Sequence, residues 1–428
     1  MRTLAILLMI LATPGLVAIV FWRPAFGAAL ILALAPFEGA LTLGGQSAVK
    51  LATVLCIGVF LLRTIRTGGS FTIDSTTRLL ALFLLWASLS LLWNRDPTDA
   101  VSEWDSFVLQ GCLYVLFLNL VRSRDDLKLA LWGHVLAGSI LAASVTHAMI
   151  MRDFARLAGA AGLGINLASR LVGLSLILCL ILYQMDATRL ARSVLLAAAV
   201  LLGIGSVVGL SRSTWLGVIL GVAVVAMGPA MRTKRRIATK QLLVWSLVGC
   251  AVFLILANWV FDAHGIAKIA QRFRAGYTLS DSASGRFDIW KEGFERLAEA
   301  PFLGHGLHSF TRENVYNSKG AHNSFVMVSV ETGLIGLVFF LLVLGSTHRE
   351  LWLLFRREGA ASPALAWGAG ILAFLLVSSM ADSAVNRKYF WYGLSLITLI
   401  VRHCGRGDEL LPADGEPQDV QSAEPVEA

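Results

Sequence analysis

Apolar segments of bilayer length recur along almost the entire chain, and no other feature limits its fold so strongly. A helix crosses the hydrocarbon core with about 17–25 predominantly apolar residues. Val194–Leu210, interrupted only by Ser206, is one such run. Backbone polar groups in a bilayer must be paired internally, so spanning segments are helices or closed barrels. Continuous apolar runs exclude the alternating pattern of a barrel strand. Charged residues make up 15% of the 428 positions, against roughly 25% in soluble domains, and the deficit is spread along the chain. The fold class expected is all-α, a polytopic transmembrane helical bundle. Of five cysteines, Cys56, Cys112, Cys179 and Cys250 lie inside apolar runs and Cys404 near a helix end. With no CxxC and no Cys/His cluster of ligand spacing, they read as small apolar residues.

Hydropathy places spans at 50–62, 77–94, 105–122, 127–150, 164–185, 192–210, 213–230, 241–261, 322–346, 363–381 and 388–403, after an apolar N-terminal region. Connectors holding Arg63/Arg66, Arg122/Arg124/Lys128, Arg189/Arg192, Arg232–Lys240, Arg349/Arg356/Arg357 and Arg402/Arg406 alternate with less basic ones. Cytoplasmic loops collect Lys and Arg, so these connectors are expected inside. Residues 94–105, 151–163, 211–212, 262–321 and 382–388 then lie outside. The first 37 residues hold one broken crossing or two short ones, for twelve or thirteen spans. Met1–Trp22 has signal-peptide traits, but the apolar Pro24–Pro36 follows at once, and it reads as a retained segment. Residues 1–406 are expected to form one membrane domain. Residues 407–428, with seven acids and no Lys or Arg, should be a disordered cytoplasmic tail.

Two features on the outer side invite chemistry. Arg212 lies at the tight junction of two apolar spans, flanked by Ser211, Ser213 and Thr214. It either snorkels to the interface or faces a cavity as an anion site. The stretch 262–321 is too long for an idle connector. Within it Phe287, Trp290, Phe294 and Leu297 share one helical face, which predicts an amphipathic helix at the outer surface. Arg286 is expected in the first turn of that helix, where a guanidinium and a helix N-terminus suit phosphate; the alternative is a solvated charge beside packing aromatics. His305 and His308 have pair spacing only in a helix, which Gly304 and Gly306 oppose, so no metal site is expected. His322 opens the next span on the same side, where a neutral imidazole can take a proton from a hydroxyl. Arg170, Arg272, Arg274, Arg387 and Lys388 add positive charge there, which asks for an anionic partner such as a lipid-linked diphosphate. Nucleic acid is not expected as a partner.

These landmarks resemble the O-antigen ligase family and its related polysaccharide polymerases, best over about 196–345. Arg212-Ser213-Thr214-Trp215-Leu216 fits Arg-x3-Leu at an outer helix end. Gly285–Trp290 followed by Pro301-Phe302-Leu303-Gly304-His305-Gly306 looks like the family's long extracytoplasmic loop. His322-Asn323, nine residues, then Gly333-Leu334-Ile335-Gly336 fits the ligase pattern His-Asn-x9-Gly-x-x-Gly. Leu337 stands where that pattern usually has a small residue. Arg274 to Gly285 matches one polymerase motif, Arg-x10-Gly, while no loop arginine matches the other, Arg-x15-Gly.

The resemblance implies a metal-independent glycosyltransferase of the GT-C type without a cofactor, in the bacterial inner membrane and surrounded by its lipids, working at the periplasmic face. Its donor would be a glycan on undecaprenyl diphosphate, and its acceptor lipid A–core for a ligase or a growing polysaccharide for a polymerase. By the same resemblance Arg212 and Arg286 would hold the diphosphate and His322 would be the general base of an inverting transfer. Arg170, Ser211, Ser213, His305, His308, Asn323, Arg387 and Lys388 are the expected substrate-binding residues. A secondary transporter is the competing class, although no candidate pair of broken helices marks a midplane site.

Overall fold

The computed structural model describes residues 14–43, 46–95, 97–151, 162–185, 188–209, 211–232, 279–310 and 321–405. The expected span 241–261, Arg272, Arg274 and the acidic tail lie outside these residues. After a helix at 14–22 come α1 (Ala25–Leu34), α2 (Ala48–Thr67), α3 (Ser75–Leu89), α4 (Pro97–Leu120), α5 (Arg124–Met151) and α6 (Ile165–Met185). They are followed by α7 (Arg189–Val208), α8 (Arg212–Arg232), α9 (Leu279–Glu299), α10 (Ser324–Glu358), α11 (Pro363–Ala381) and α12 (Lys388–Cys404). A two-residue hairpin pairs Thr42 with Ser47. The chain is all-α in substance, as its apolar patterning requires.

Local chemistry sets where these helices start and stop. Ser47, Asp74 and Thr188 cap α2, α3 and α7 by accepting the backbone N–H of Lys50, Thr77 and Ala191. Pro363 occupies the first turn of α11, where its missing N–H costs nothing. Gly68 ends α2 at φ 64°, a conformation that favours glycine. Among the described residues, seven helices are long and apolar enough to cross a membrane: α2, α3 extended to Trp93, α5, α6, α7, α10 and α11. Ala25–Phe37, Trp104–Leu120 and Arg212–Met227 are apolar but shorter. A multi-pass membrane protein is therefore evident, with seven such helices against the twelve or thirteen spans expected.

Two contacts orient the N-terminal part. Arg23 lies 3.7 Å from Asp126 at the start of α5. Glu38, after α1, pairs with Lys388 at the start of α12. The segment between Arg23 and Glu38 thus runs from one end of the bundle to the other.

In lipid the hydrophobic effect does not drive helices together, so close packing must, and small residues permit it. The spacing Gly217-x3-Gly221 on α8 meets Gly370 on α11: a Cβ on Gly221 would lie 2.9 Å from the Gly370 carbonyl oxygen. On α5, a Cβ on Gly133 would lie 2.6 Å from the Ala29 oxygen of α1. Larger side chains fill the centre, where Phe83 contacts Phe340 at 5.6 Å and Phe390 meets Trp391 edge-on at 5.1 Å. The glycine seam brings the start of α8 and the end of α11 to the same end of the bundle as His322.

Candidate active site

His322 sits just before α10, and three local devices hold it. Its own backbone is left-handed at φ 48°, a rare state for a residue with a side chain and one that surrounding structure must enforce. Asn323 caps α10, its Oδ1 accepting the N–H groups of Phe325 at 2.9 Å and Val326 at 3.3 Å. Ser324 Oγ donates to the Asp382 carbonyl at 3.0 Å and accepts from the Val385 N–H at 3.3 Å. That last pair ties the start of α10 to the turn between α11 and α12.

The same turn brings Asp382 to the imidazole. His322 Nδ1 is 3.8 Å from Asp382 Oδ1, and the histidine side chain is 39% exposed. Asp382 Oδ2 accepts from Arg170 at 2.6 Å. Arg170 also reaches Ser213 Oγ at 3.5 Å and the Ala381 carbonyl at 3.4 Å. Burial pushes the Asp382 carboxyl up. The His322 imidazole and the Arg170 and Arg387 charges outweigh burial and hold it down at about 2. Asp382 is therefore an anion at neutral pH. An anion facing Nδ1 favours the tautomer with the proton on Nδ1, which leaves Nε2 as a base.

The arginines expected to bind anions separate into two kinds. Arg170 is 2% exposed and is committed to Asp382. Arg212 is the first residue of α8 and is exposed. Its neighbour Ser213 touches Arg170, so contacts run from the start of α8 through Arg170 and Asp382 to His322. Ser211 is buried and accepts from Thr214 Oγ1 at 2.9 Å. Arg387 is exposed beside Asp382, whereas Lys388 turns to Glu38.

Arg286 corrects an expectation. α9 begins at Leu279, so Arg286 lies two turns inside the helix and not in its first turn. The serine-rich stretch before it favours a cap over a helix interior, but here it is helix. The helix-end contribution to anion binding, confined to the first turn, therefore falls away at Arg286. The aromatic face is also divided. Ile289 and Gly293 are buried and Trp290 and Leu297 half-buried, while Phe287 and Phe294 are 62% and 58% exposed. Trp290 Nε1 donates to the Ala321 carbonyl at 2.9 Å, which anchors α9 directly before His322.

The glycine motifs form one structural unit. α10 breaks at Gly333, where φ is 68° and ψ −175°. The break frees Val330 and Glu331 carbonyls, which accept from the His305 and Gly306 N–H groups at 2.9 and 2.8 Å. Leu334 N–H returns a bond to the Pro301 carbonyl at 2.8 Å. Contact is so close that a Cβ on Gly333 would sit 2.1 Å from the Phe302 oxygen, and one on Gly304 2.5 Å from the Gly333 nitrogen. Pro301–Gly306 is thus the plug for the break in α10. His305 Nε2 meets the Arg296 carbonyl at 2.8 Å near the end of α9. His308, at φ 67°, is half-buried in the same loop.

Sequence reasoning missed Asp382. The available signal was an acid directly after an apolar span, close to Arg387 and Lys388 in a basic outer turn. Among the described residues, no group of three His, Cys, Asp or Glu is placed to hold a metal ion.

The family described as O-antigen ligase matches residues 197–341, from α7 through Arg212 and Arg286 to His322 and the break in α10. A protein of Rickettsia felis named "Putative polysaccharide ligase" is 23% identical over 307 residues, covering 66% of this chain and 70% of that protein. Over residues 197–341 the chain is therefore similar to the O-antigen ligase family, and over a longer stretch to that polysaccharide ligase.

Proposed function

We propose that the chain is an inverting glycosyltransferase that moves a glycan from undecaprenyl diphosphate to an acceptor sugar hydroxyl of lipid A–core. The His322 end of the bundle faces the periplasm of the inner membrane, and residues 1–406 form the transferring domain. The observation that carries this reading is the Arg170–Asp382–His322 arrangement, a base oriented by a buried ion pair. His322 Nε2 takes the proton from the acceptor hydroxyl as its oxygen attacks the anomeric carbon. The bond from that carbon to the diphosphate breaks on the opposite face, with inversion. Asp382 stabilises the imidazolium. Arg212 and Arg286 neutralise charge gathering on the diphosphate, and such electrostatic contributions are commonly the largest in catalysis. Ligase is favoured over polymerase by the His322-Asn323 and Gly333–Gly336 pattern and by the names of the matching family and relative.

His322→Ala tests the assignment. General base catalysis contributes about 10²–10⁴-fold, so transfer to lipid A–core should drop below detection on a lipopolysaccharide gel while the protein accumulates normally in the membrane. Transfer at the wild-type level would remove His322 from the mechanism. In a strain lacking the protein, polymer left on the carrier marks a ligase, whereas a single repeat unit on the core marks a polymerase.

A further inference from the structure

At the break in α10, backbone outside regular helix lies against an apolar part of the bundle, and α3 fixes its depth. Trp86 Nε1 donates to the Thr332 carbonyl at 2.8 Å, and Trp93 Nε1 to the Leu303 carbonyl at 3.2 Å. α3 extended to Trp93 is long and apolar enough to cross a membrane. At 1.5 Å per residue, Trp86 lies about 10 Å in from the Trp93 end of that span. The break at Gly333, next to Thr332, is therefore inside the apolar layer, and the turn Pro301–Gly304 reaches from the level of Trp93 down to it.

Irregular backbone at membrane depth survives only with its polar groups paired inside the protein. Both sides of this joint meet that demand. In the turn, the Ala300 carbonyl accepts from the Gly304 N–H at 3.0 Å, Pro301 from Leu334 at 2.8 Å and Phe302 from Ile335 at 3.5 Å, while Leu303 accepts from Trp93. On α10, the carbonyls of Val330, Glu331 and Thr332 accept from His305, Gly306 and Trp86. The carbonyls of the joint thus face the protein, and two large apolar side chains face away from it. Phe302 is 65% exposed and Leu303 47%.

Their surroundings are apolar outer surface. Leu82, Leu85, Leu89 and Leu92 are exposed along one face of α3, at helical spacing and up to its end. On α10, Leu334 and Val338 are exposed directly after the break. Leu303 is tied to α3 and Pro301 to α10, so the turn joins the two stripes into one surface. We infer that Pro301–Gly304 is a re-entrant turn whose Phe302 and Leu303 side chains insert among lipid acyl chains, in the half of the bilayer on the His322 side. Pairing of the backbone removes the cost that keeps ordinary loops out of hydrocarbon, and withdrawing the two side chains from water supplies the gain. The plug is then held by lipid on one side and by the Val330–Glu331 end of the helical segment that His322 opens on the other. None of this depends on the reaction proposed above.

Photolabelling of the full-length protein in phosphatidylcholine nanodiscs tests the insertion. A fraction of the lipid carries a diazirine in mid-chain, and adducts are mapped by mass spectrometry. Phe302 and Leu303 should take up lipid at a yield comparable to that of Leu85 and Leu89 on α3. The yield should be severalfold above that of Lys291 and Glu295, which are exposed on the charged face of α9. Adducts at Phe302 and Leu303 no more frequent than at Lys291 and Glu295 overturn the proposal. So does oxidation of Phe302 by water-borne hydroxyl radicals as fast as that of the exposed Phe294 while Leu85 is spared. With p-benzoylphenylalanine in place of Phe302, lipid adducts support the insertion, whereas covalent dimers overturn it, because a second copy of the chain then covers the turn.

Discussion

Both ends of the bundle hold carboxylates, half-buried at one and buried at the other, beside polar groups from α10 and α12, yet the two clusters are built in opposite ways. At the end away from His322, Asp74 accepts from Tyr114 at 3.1 Å and lies 3.8 Å from Arg402. Tyr114 meets Thr398 at 3.0 Å, and Thr398 donates to Glu350 at 2.7 Å. Thr76 closes the ring through Ser346 at 2.8 Å and Glu350 at 3.5 Å. Each of these groups completes a bond. At the His322 end, Arg170 Nε has no partner among the described residues, and His322 keeps a left-handed backbone. Partial or full burial within the protein is common to both, so it does not explain the difference. A satisfied network fastens helices together. Strain and open valences persist where the structure has another use for them.

The comparison is sharpened most by separating stability from activity at Asp382. Asp382→Asn leaves Arg170 as a buried charge without its anion, which typically costs about 3–5 kcal/mol, and removes the charge that supports the imidazolium. Transfer should fall by about a hundredfold or more, and thermal unfolding in detergent should shift down. The double variant Arg170→Met, Asp382→Leu replaces the pair with apolar groups of similar size. It should regain most of the stability and none of the activity. Recovered transfer in the double variant would mean that this ion pair only fastens helices, like the cluster at the other end.

A smaller effect is expected at Arg212. Arg212→Lys keeps the charge but gives a point ammonium in place of the planar fork that matches a diphosphate. Transfer should fall about tenfold, some 1.4 kcal/mol, with protein levels unchanged. Donor binding at the wild-type level would leave Arg212 as an interfacial charge with no hold on the diphosphate.

The membrane class, most helix positions and His322 at the mouth of α10 could be read from the sequence, because bilayer length and apolar runs are local signals. Asp382 could not: sixty residues separate it from His322, and the packing of α11 on α8 and α6, through Gly370, Gly221 and Gly173, brings it near Arg170. The plug of Pro301–Gly306 in the break at Gly333 is hidden for the same reason, since each motif explains the other only once both are placed. α9 shows a different limit. Helical periodicity grouped Phe287 with Trp290, but it cannot tell which edge of an apolar stripe packs, and the structure buries Ile289 and Gly293 instead. Arg286 was misplaced because serines favour caps over helix interiors, yet the helix runs on through Ser280, Ser282 and Ser284.

The least disruptive change addresses the satisfied cluster. Thr398→Val removes the hydroxyl that links Tyr114 to Glu350 while keeping the shape of the side chain. Hydrogen bonds within membrane bundles average about 0.6 kcal/mol and reach about 1.7. A bond to a carboxylate belongs near the upper figure, so stability should fall by about 1 kcal/mol. Transfer should be unaffected, because among the described residues no contact of this cluster reaches His322 or Asp382. An equal loss of stability with a severalfold loss of transfer would show that the two ends communicate through α12, which carries Thr398 at one end and Tyr389 at the other. The satisfied cluster would then be part of the catalytic machinery, and the contrast between closed and open networks would no longer separate fastening from function.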